Sequence, residues 1–519
     1  MANAFEIHLT VGYDLGRAAA VAQRHGAKFA HIMLDRGGQQ SQPMITISST
    51  GTLKAQHKLV TRWHRILSKA ELYVFRTKVE GAPWNDGVPD TDDEARREPA
   101  GRYFEHHVKL LLPDASATRL IELTQLVEPF GARLSRNARR HRDDGRHERF
   151  VTQRCFGVGR SGAREQLDAL LAALRTRSEE IVEVEAEYVF EDSRLAYDDG
   201  WLTEAPHFYN RAYEDAHRHA PEGEVAYPPT YLPVPADGLT VHQRAAFDPA
   251  LKHYANAYRA GEPRFEDRTV DARWRAARRE SAAHVLTLIA ASRWADHLVL
   301  RGSTTLRAWL GDAAREPGDL DFVVVPADFR ANDPSADQML ADIVEAVRAD
   351  PGPGLHAEQV AAVDIWTYDR VPGRRLTFPF LATDLPRGTV QVDFVFGEPM
   401  PVAAQRVHVH GVDVACAPPE LALAWKLLWL ESDMYPQGKD LLDAALLAEH
   451  TTVSLDLVRD VLRTAPSGAG VEPDGFTAAS VLRWDVDWEN FADEYPGVGG
   501  DAREWQERLA RALDRSFAG

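Results

Sequence analysis

Residues 297–311 read HLVLRGSTTLRAWLG, and residues 317–326 read PGDLDFVVVP. The first stretch predicts a short apolar strand ending at Gly302, with a helix opening at Ser303. A Gly-Ser at a strand-to-helix junction lets a phosphate approach the backbone closely. The free N–H groups and dipole of the helix N-terminus then favour the anion. The second stretch predicts a strand, in which residues two apart point to the same face. Asp319 and Asp321 therefore stand side by side as two carboxylates. Hard divalent cations such as Mg²⁺ are held by one or two carboxylates together with substrate phosphates.

Working outward, SADQMLADIVEAVRAD (335–350) predicts a helix, and AVDIWTYDR, GRRLTFPFLAT and TVQVDFVFG (389–397) predict strands. The last strand carries Asp393 among apolar residues, where an unpartnered carboxylate is costly to bury. If its strand neighbours that of Asp319 and Asp321, three carboxylates share one metal site suited to displacement at phosphorus. RVHVHGVDVACA is followed by helical patterns at PPELALAWKLLWLESD, KDLLDAALLAEH and SLDLVRDVLRTA, and by a final amphipathic stretch, DAREWQERLARALDRSFAG. The C-terminal half is expected to be a mixed sheet (271–415) followed by a helical lobe (416–519).

The order Gly-Ser, Asp-x-Asp, third carboxylate resembles the nucleotidyltransferase superfamily. RGSTTLRAWLG…PGDLDFVVVP is similar, more closely, to the AbiEii/MenT toxin family of nucleotidyltransferases. That family adds a helical lysine and a basic-Asp-x-x-Asp element, matched here by Lys426 and by Lys439-Asp440-Leu441-Leu442-Asp443. The likeness spans about residues 280–450. It implies a two-lobed enzyme that moves NMP from an NTP to an acceptor, often the 3′ end of tRNA. It also implies Mg²⁺ (or Mn²⁺) on Asp319, Asp321 and Asp393. Gly302, Ser303 and Arg307 would bind the nucleotide. Lys426, Asp440 and Asp443 would complete the catalytic set, and an antitoxin protein is a possible partner. Gly302-Ser303-Thr304-Thr305 departs from the family's common Gly-Gly-Thr-Ala.

Residues 1–200 carry an internal repeat, with copies at 1–81 and 102–200. FEIHLTV (5–11), AKFAHIMLD (27–35), QPMITIS (42–48) and AELYVFRTKVE (70–80) alternate with two helical stretches, and the same order recurs from YFEHHVKLLL (103–112) to EIVEVEAEYVFED (180–192). Strand, helix, strand, strand, helix, strand is the βαββαβ, or ferredoxin-like, unit. The fold class expected for the whole chain is therefore α+β. His8-Leu9-Thr10 and His107-Val108-Lys109 fall on the first strand of each copy. Paired His-x-Thr motifs resemble two-histidine phosphoesterases, but Lys109 replaces the second hydroxyl, and the histidines read as structural. Residues 201–270, with five prolines in PEGEVAYPPTYLPVPADG (221–238), read as a connector with short helices at HFYNRAYEDAHRH and ALKHYANAYRAG.

The chain has 519 residues, a formal charge of -18 and two well-separated cysteines, Cys155 and Cys416. It has no CxxC pair and no run of about 18 apolar residues that would suit a membrane span. A cytoplasmic protein is expected, with no membrane association. Acidic overall, the chain needs a local cationic patch to hold RNA. The densest is ARLSRNARRHRDDGRHERFVTQR (132–154), with Arg136, Arg139 and Arg140 as candidate RNA contacts. Two other classes compete: a small-molecule nucleotidyltransferase of the antibiotic-modifying kind, and a non-catalytic RNA-binding or regulatory protein.

Overall fold

The computed structural model describes residues 3–12, 14–140, 142–202, 227–228, 232–235, 238–248, 258–367, 371–433, 435–466 and 469–518. The chain divides into two compact units, Met1–Asp215 and Ala216–Gly519.

In the first unit, one repeat comprises β1 (Ala4–Val11), α1 (Leu15–Arg24), β2 (Lys28–Leu34), β3 (Ser41–Thr50), α2 (Leu53–Lys69) and β4 (Val74–Gly81). The other comprises β5 (Tyr103–Leu112), α3 (Ala117–Val127), β6 (Ala132–Asn137), β7 (His147–Phe156), α4 (Arg160–Thr176) and β8 (Ile181–Asp192). Each repeat is the βαββαβ unit read from the sequence. The sequence did not reveal how they combine. Within each repeat the sheet order is β4-β1-β3-β2 or β8-β5-β7-β6, which leaves two open edges. The edges pair with their counterparts, β2 with β6 and β4 with β8, both antiparallel. All eight strands thereby close into one barrel. Closure removes the unpaired N–H and C=O rows that an open sheet presents.

Strand alternation assigns the two faces. Phe5, Ile7 and Leu9 pack beneath Ala18, Val21, Trp63 and Leu67 of the helices. Val108, Leu110 and Leu112 do the same with Leu123, Val127, Leu167, Leu170 and Leu174. The intervening residues line the barrel interior, which is polar and repeats itself. His8 faces Thr46 on β3, and His107 faces Thr152 on β7. Each imidazole Nδ1 hydrogen-bonds that threonine's hydroxyl, at 2.9 and 3.0 Å. Glu80 lies 2.6 Å from His8 Nε2, and Glu105 lies 3.2 Å from His107 Nε2. Lys78 bridges Glu80 and Glu105. Arg154 joins Glu105 to Asp198, and Arg76 joins Asp198 to Asp192. Both histidines are thus committed to threonines and carboxylates, an environment that would repel a phosphodiester. They stand beside a lattice of buried ion pairs built by Lys78, Arg76 and Arg154.

Glu187 belongs to the same lattice. Burial, reinforced by the Glu80 carboxylate, pushes its carboxyl up to about 10. An acid whose folded-state pKa lies above its unfolded value holds its proton longer when folded. Stability therefore falls as pH rises from about 4.5 towards 10. Glu187→Gln should remove that slope. Thermal melts of the two proteins should coincide near pH 4, and the variant should melt several °C higher at pH 9, since ~1 kcal/mol moves Tm by about 2–4 °C. Melting curves that stay parallel from pH 4 to 9 would show that Glu187 is ionised in the folded barrel.

In the second unit, two small antiparallel ribbons, Val241–His242 with Arg264–Phe265 and Ala245–Phe247 with Tyr258–Ala260, precede the main sheet. Of the helix expected at 250–261, residues 258–260 are strand. Residues 250–257 of it, and the helix expected at 207–219, lie outside the described residues. Then come α5 (Arg268–Ala291), β9 (Leu298–Arg301), α6 (Ser303–Leu310), β10 (Asp319–Val324), α7 (Pro334–Ala349), β11 (Ala361–Thr367), β12 (Val371–Phe380), β13 (Gly388–Phe396), β14 (Gln405–Val409) and β15 (Val412–Cys416). They form a seven-stranded mixed sheet in the order β11-β12-β13-β10-β9-β15-β14. Leu320, Phe322 and Val324 of β10 and Val390, Val392, Phe394 and Phe396 of β13 join one apolar core with Val285, Leu286, Met339, Ile343 and Val347 of α5 and α7. That leaves the alternate residues of β10 and β13 for the opposite face.

Helices α8 (Pro419–Ser432), α9 (Gly438–His450), α10 (Leu455–Leu462), α11 (Glu489–Glu494) and α12 (Ala502–Phe517) follow. Leu421 through Leu430 of α8 are buried all round, as expected for a helix that is apolar on every face.

Candidate active site

The free face of β10 carries Asp319 and Asp321. β13 runs parallel beside it, and the register sets Asp321 directly against Asp393 and Asp319 against Gln391. Ligand oxygens from Asp319, Asp321 and Asp393 lie within 4.8 Å of one another. The three carboxylates expected to share a site do so because strand order places β13 next to β10.

Their electrostatics are self-opposing. Burial, then the charges of Asp319 and Asp393, pushes Asp321 up to about 8, although Arg301 and Lys426 pull the other way. Asp393 is raised by burial as well, against the pull of Arg375. Added positive charge between them would let Asp321 and Asp393 ionise more readily. A divalent cation supplies it, and hard oxygen donors suit one.

Gly302 adopts a positive φ of 79°, and a Cβ there would lie 2.4 Å from Asp321 Oδ2. Only glycine lets the strand end turn so close to the carboxylate. Next to it, the buried Ser303 Oγ makes no hydrogen bond, so a hydroxyl at the first position of α6 is left for a ligand. Thr304 Oγ1 donates to the Asp319 carbonyl (2.9 Å) and Thr305 Oγ1 to the Gly302 carbonyl (2.8 Å), which ties the helix start to both strands. Thr305, one of the two departures from Gly-Gly-Thr-Ala, therefore has a structural task. Arg307 is engaged locally, donating to the Asp312 carboxylate (2.6 Å) and the Ala314 carbonyl (3.1 Å) at the end of α6.

Lys426 sits in the middle of apolar α8. Its Nζ donates to Asp440 Oδ1 at 2.6 Å and to Asp443 Oδ2 at 2.9 Å. These carboxylates are three apart on α9 and so share a face. Burial alone would lower the Lys426 pKa, but Asp440 and Asp443 more than reverse it, and the ammonium is raised. Asp443 also accepts a fork from Arg315, at 3.2 and 3.0 Å. Arg315 stands on the loop entering β10, so α9 braces the strand that carries Asp319 and Asp321.

Four residues at the site went unread in the sequence. Arg375 on β12 grips Asp393 with two hydrogen bonds of 2.7 Å. Gln391 Nε2 reaches Asp393 Oδ2 (3.3 Å) and Asp319 Oδ2 (3.5 Å). Arg301 lies opposite Asp321, pairs with Glu398 at 3.3 Å and stacks on Trp425 and Trp429. Arg315 is the fourth. The available signal was a charged or amide side chain inside an otherwise apolar strand, as in GRRLTFPF and TVQVDFVF.

Among solved structures, the small subunit of acetolactate synthase from Thermotoga maritima is 13% identical, over 36% of this chain and 92% of that one, with a TM-score of 0.16. A putative chlorite dismutase, TA0507, is 15% identical over 36% and 95%, with a TM-score of 0.15. At those scores neither carries an argument. No curated protein matches the chain. A family model does: residues 284–515 match the one described as nucleotidyl transferase AbiEii toxin, type IV toxin–antitoxin system. The matched span takes in the Gly302–Ser303 turn, all three carboxylates and the Lys426–Asp440–Asp443 cluster, and over it the chain is similar to the AbiEii nucleotidyltransferase toxin family, which marks this region as a nucleotidyltransferase.

Proposed function

We propose that the second unit transfers NMP from an NTP to the 3′ end of an RNA, with tRNA as the acceptor, using Mg²⁺ or Mn²⁺. The observation that carries this reading is the convergence of Asp319, Asp321 and Asp393 beside the unpartnered Ser303 hydroxyl. Asp319 and Asp321 would hold the cation, with Asp393 as third ligand or as acceptor of the attacking hydroxyl's proton. A bound divalent cation supplies charge neutralisation at the reacting phosphate. Gly302 and Ser303 would receive the triphosphate, with Arg307 reaching it once released from Asp312. Lys426 would contribute positive potential while Asp440 and Asp443 hold it in place. The family's description as a type IV toxin supports a neutralising antitoxin partner and a site of action in the cytoplasm. Among the described residues, no helix is long and apolar enough to cross a membrane.

The direct test incubates the full chain with each labelled NTP, Mg²⁺ and total tRNA, then resolves the products on a gel. Label in a tRNA-sized band with one NTP is the expected result. Label absent from RNA but present on a small acceptor would favour the small-molecule reading.

The role proposed for the Arg-rich hairpin is narrower than its composition suggested. Arg154 and Arg133 are turned into ion pairs with Glu105 and Glu128. At the tip, Arg140 pairs with Glu148 (3.4 Å), Arg142 with Asp144 (2.6 Å), and Arg139 lies over Phe29. The local acids that temper this patch favour the small-molecule acceptor as the second reading. Reversing charge at Arg136, Arg139 and Arg140 should weaken RNA binding and lower its salt slope by about three, at roughly 0.9 per phosphate contact. NTP affinity should not change. RNA affinity and salt slope equal to wild type would make the hairpin a purely structural element.

A further inference from the structure

The three carboxylates are not equivalent. Arg375 lies directly across from Asp393 in the antiparallel β12–β13 pair. Its guanidinium takes both oxygens, Nε to Oδ1 and Nη2 to Oδ2, each at 2.7 Å. Both side chains are buried, at 8% and 7% exposure. Gln391 adds a third hydrogen bond to Oδ2 and extends to Asp319. Asp321, by contrast, is held in no such fork: the Asp319 and Asp393 carboxylates crowd it, with Arg301 and Lys426 as the nearby cations. A planar fork fixes both the plane and the rotation of the carboxylate it holds. It also cancels one charge of the three before any cation arrives.

We propose that Arg375 is a positioning residue for Asp393: it gives up metal affinity in order to fix the third carboxylate's orientation. This rests on the reading that Asp319, Asp321 and Asp393 share a divalent cation. On this arrangement Asp319 and Asp321 supply most of the attraction for the metal. Asp393 keeps only the lone pairs not used by Arg375 and Gln391, and these point in one direction. Removing the fork then has opposite effects on two quantities. The site becomes more negative, so the cation binds more tightly. Asp393 becomes free to rotate, so transfer slows. A side chain that merely held β12 to β13 would not produce that split.

The test measures Mn²⁺ binding by titration and transfer at saturating Mn²⁺ in the full chain, for wild type, Arg375→Gln, Arg375→Lys and Asp321→Asn. Arg375→Gln should bind Mn²⁺ about tenfold more tightly, from loss of one neighbouring cation. Its transfer rate should fall about 10²-fold, the scale of a misplacement near 1 Å. Arg375→Lys restores the charge without the fork, so its Mn²⁺ affinity should return to within about threefold of wild type. Its transfer should remain depressed. That split is informative even if Arg375→Gln does not fold. Wild-type transfer by Arg375→Lys, or Mn²⁺ affinity unchanged or weakened in Arg375→Gln, overturns the proposal. Failure of the underlying reading looks different: Asp321→Asn would then bind Mn²⁺ as wild type does.

Discussion

Asp321→Asn is expected to abolish nucleotidyl transfer, by about 10³-fold or more, while making the metal-free protein more stable. The first effect follows if Asp321 is a ligand of the proposed cation, which would offset charge at the reacting phosphate. The second follows from crowding. In the folded unit the Asp321 carboxyl is pushed up to about 8, against 3.8 ordinarily, by burial and by Asp319 and Asp393. A raised folded-state value means that ionising Asp321 costs stability as pH rises through that interval. The amide is isosteric and carries no charge at any pH. Without metal, the variant should therefore melt a few °C above wild type at pH 8 and with it near pH 4. Excess Mn²⁺ should reverse the order at pH 8, because only wild type gains by binding the ion. Transfer within threefold of wild type would remove Asp321 from the metal site. A lower melting temperature without metal at pH 8 would show that its neighbours stabilise the carboxylate.

Lys426→Ala should have the largest effect on folding. Its ammonium is the shared partner of Asp440 and Asp443 inside a helix that is otherwise apolar and buried. Removing one member of a buried ionic cluster leaves the others uncompensated, at about 3–5 kcal/mol. That corresponds to a loss of roughly 10 °C in melting temperature for a domain of this class. Asp443 retains Arg315, and Asp440 loses the ammonium 2.6 Å from its Oδ1. The double variant Lys426→Ala, Asp440→Asn should recover part of the lost stability without recovering transfer. Calorimetry and single-turnover assays below both transitions separate the two. A single variant that melts within 2 °C of wild type would show the cluster to be hydrated and weak, since breaking a dry one costs several kcal/mol.

The parts of this protein that could be read from its sequence are those with a period or a fixed spacing. DLDFVV alternates, so its two aspartates had to share a face. The repeated order of strands and helices in residues 1–200 declared two βαββαβ units. Lys426 inside an apolar helix and two aspartates three apart on the next were visible as a pair of demands that could meet each other. What stayed hidden depends on pairings between distant segments. Nothing local in KFAHIML or ARLSRN says that their strands will meet edge to edge, because any exposed edge offers the same backbone groups. Arg375 and Asp393 are an arginine and an aspartate on separate strands, and only the β12–β13 register unites them. Arg315 reads as a loop arginine until α9 brings Asp443 against it. Tyr258–Ala260 misled because aromatic and alanine spacing suits a helix as well as a three-residue ribbon.

The closed barrel also bears on how the chain is made. During synthesis the first repeat emerges with the outer edges of β2 and β4 unpaired, and the segments that will cover them, β6 and β8, are not yet translated. β8 ends at Asp192, more than one hundred residues after Gly81. At about 5–20 residues per second, the nascent half-barrel waits several seconds with two sticky edges and a charged interior open to water. Two ribosomes on one message would present each other with matching half-barrels. Closure in cis, once the second repeat is complete, competes with that exchange between chains. The linker between the repeats, by keeping the correct partner tethered, sets the local concentration that decides the outcome.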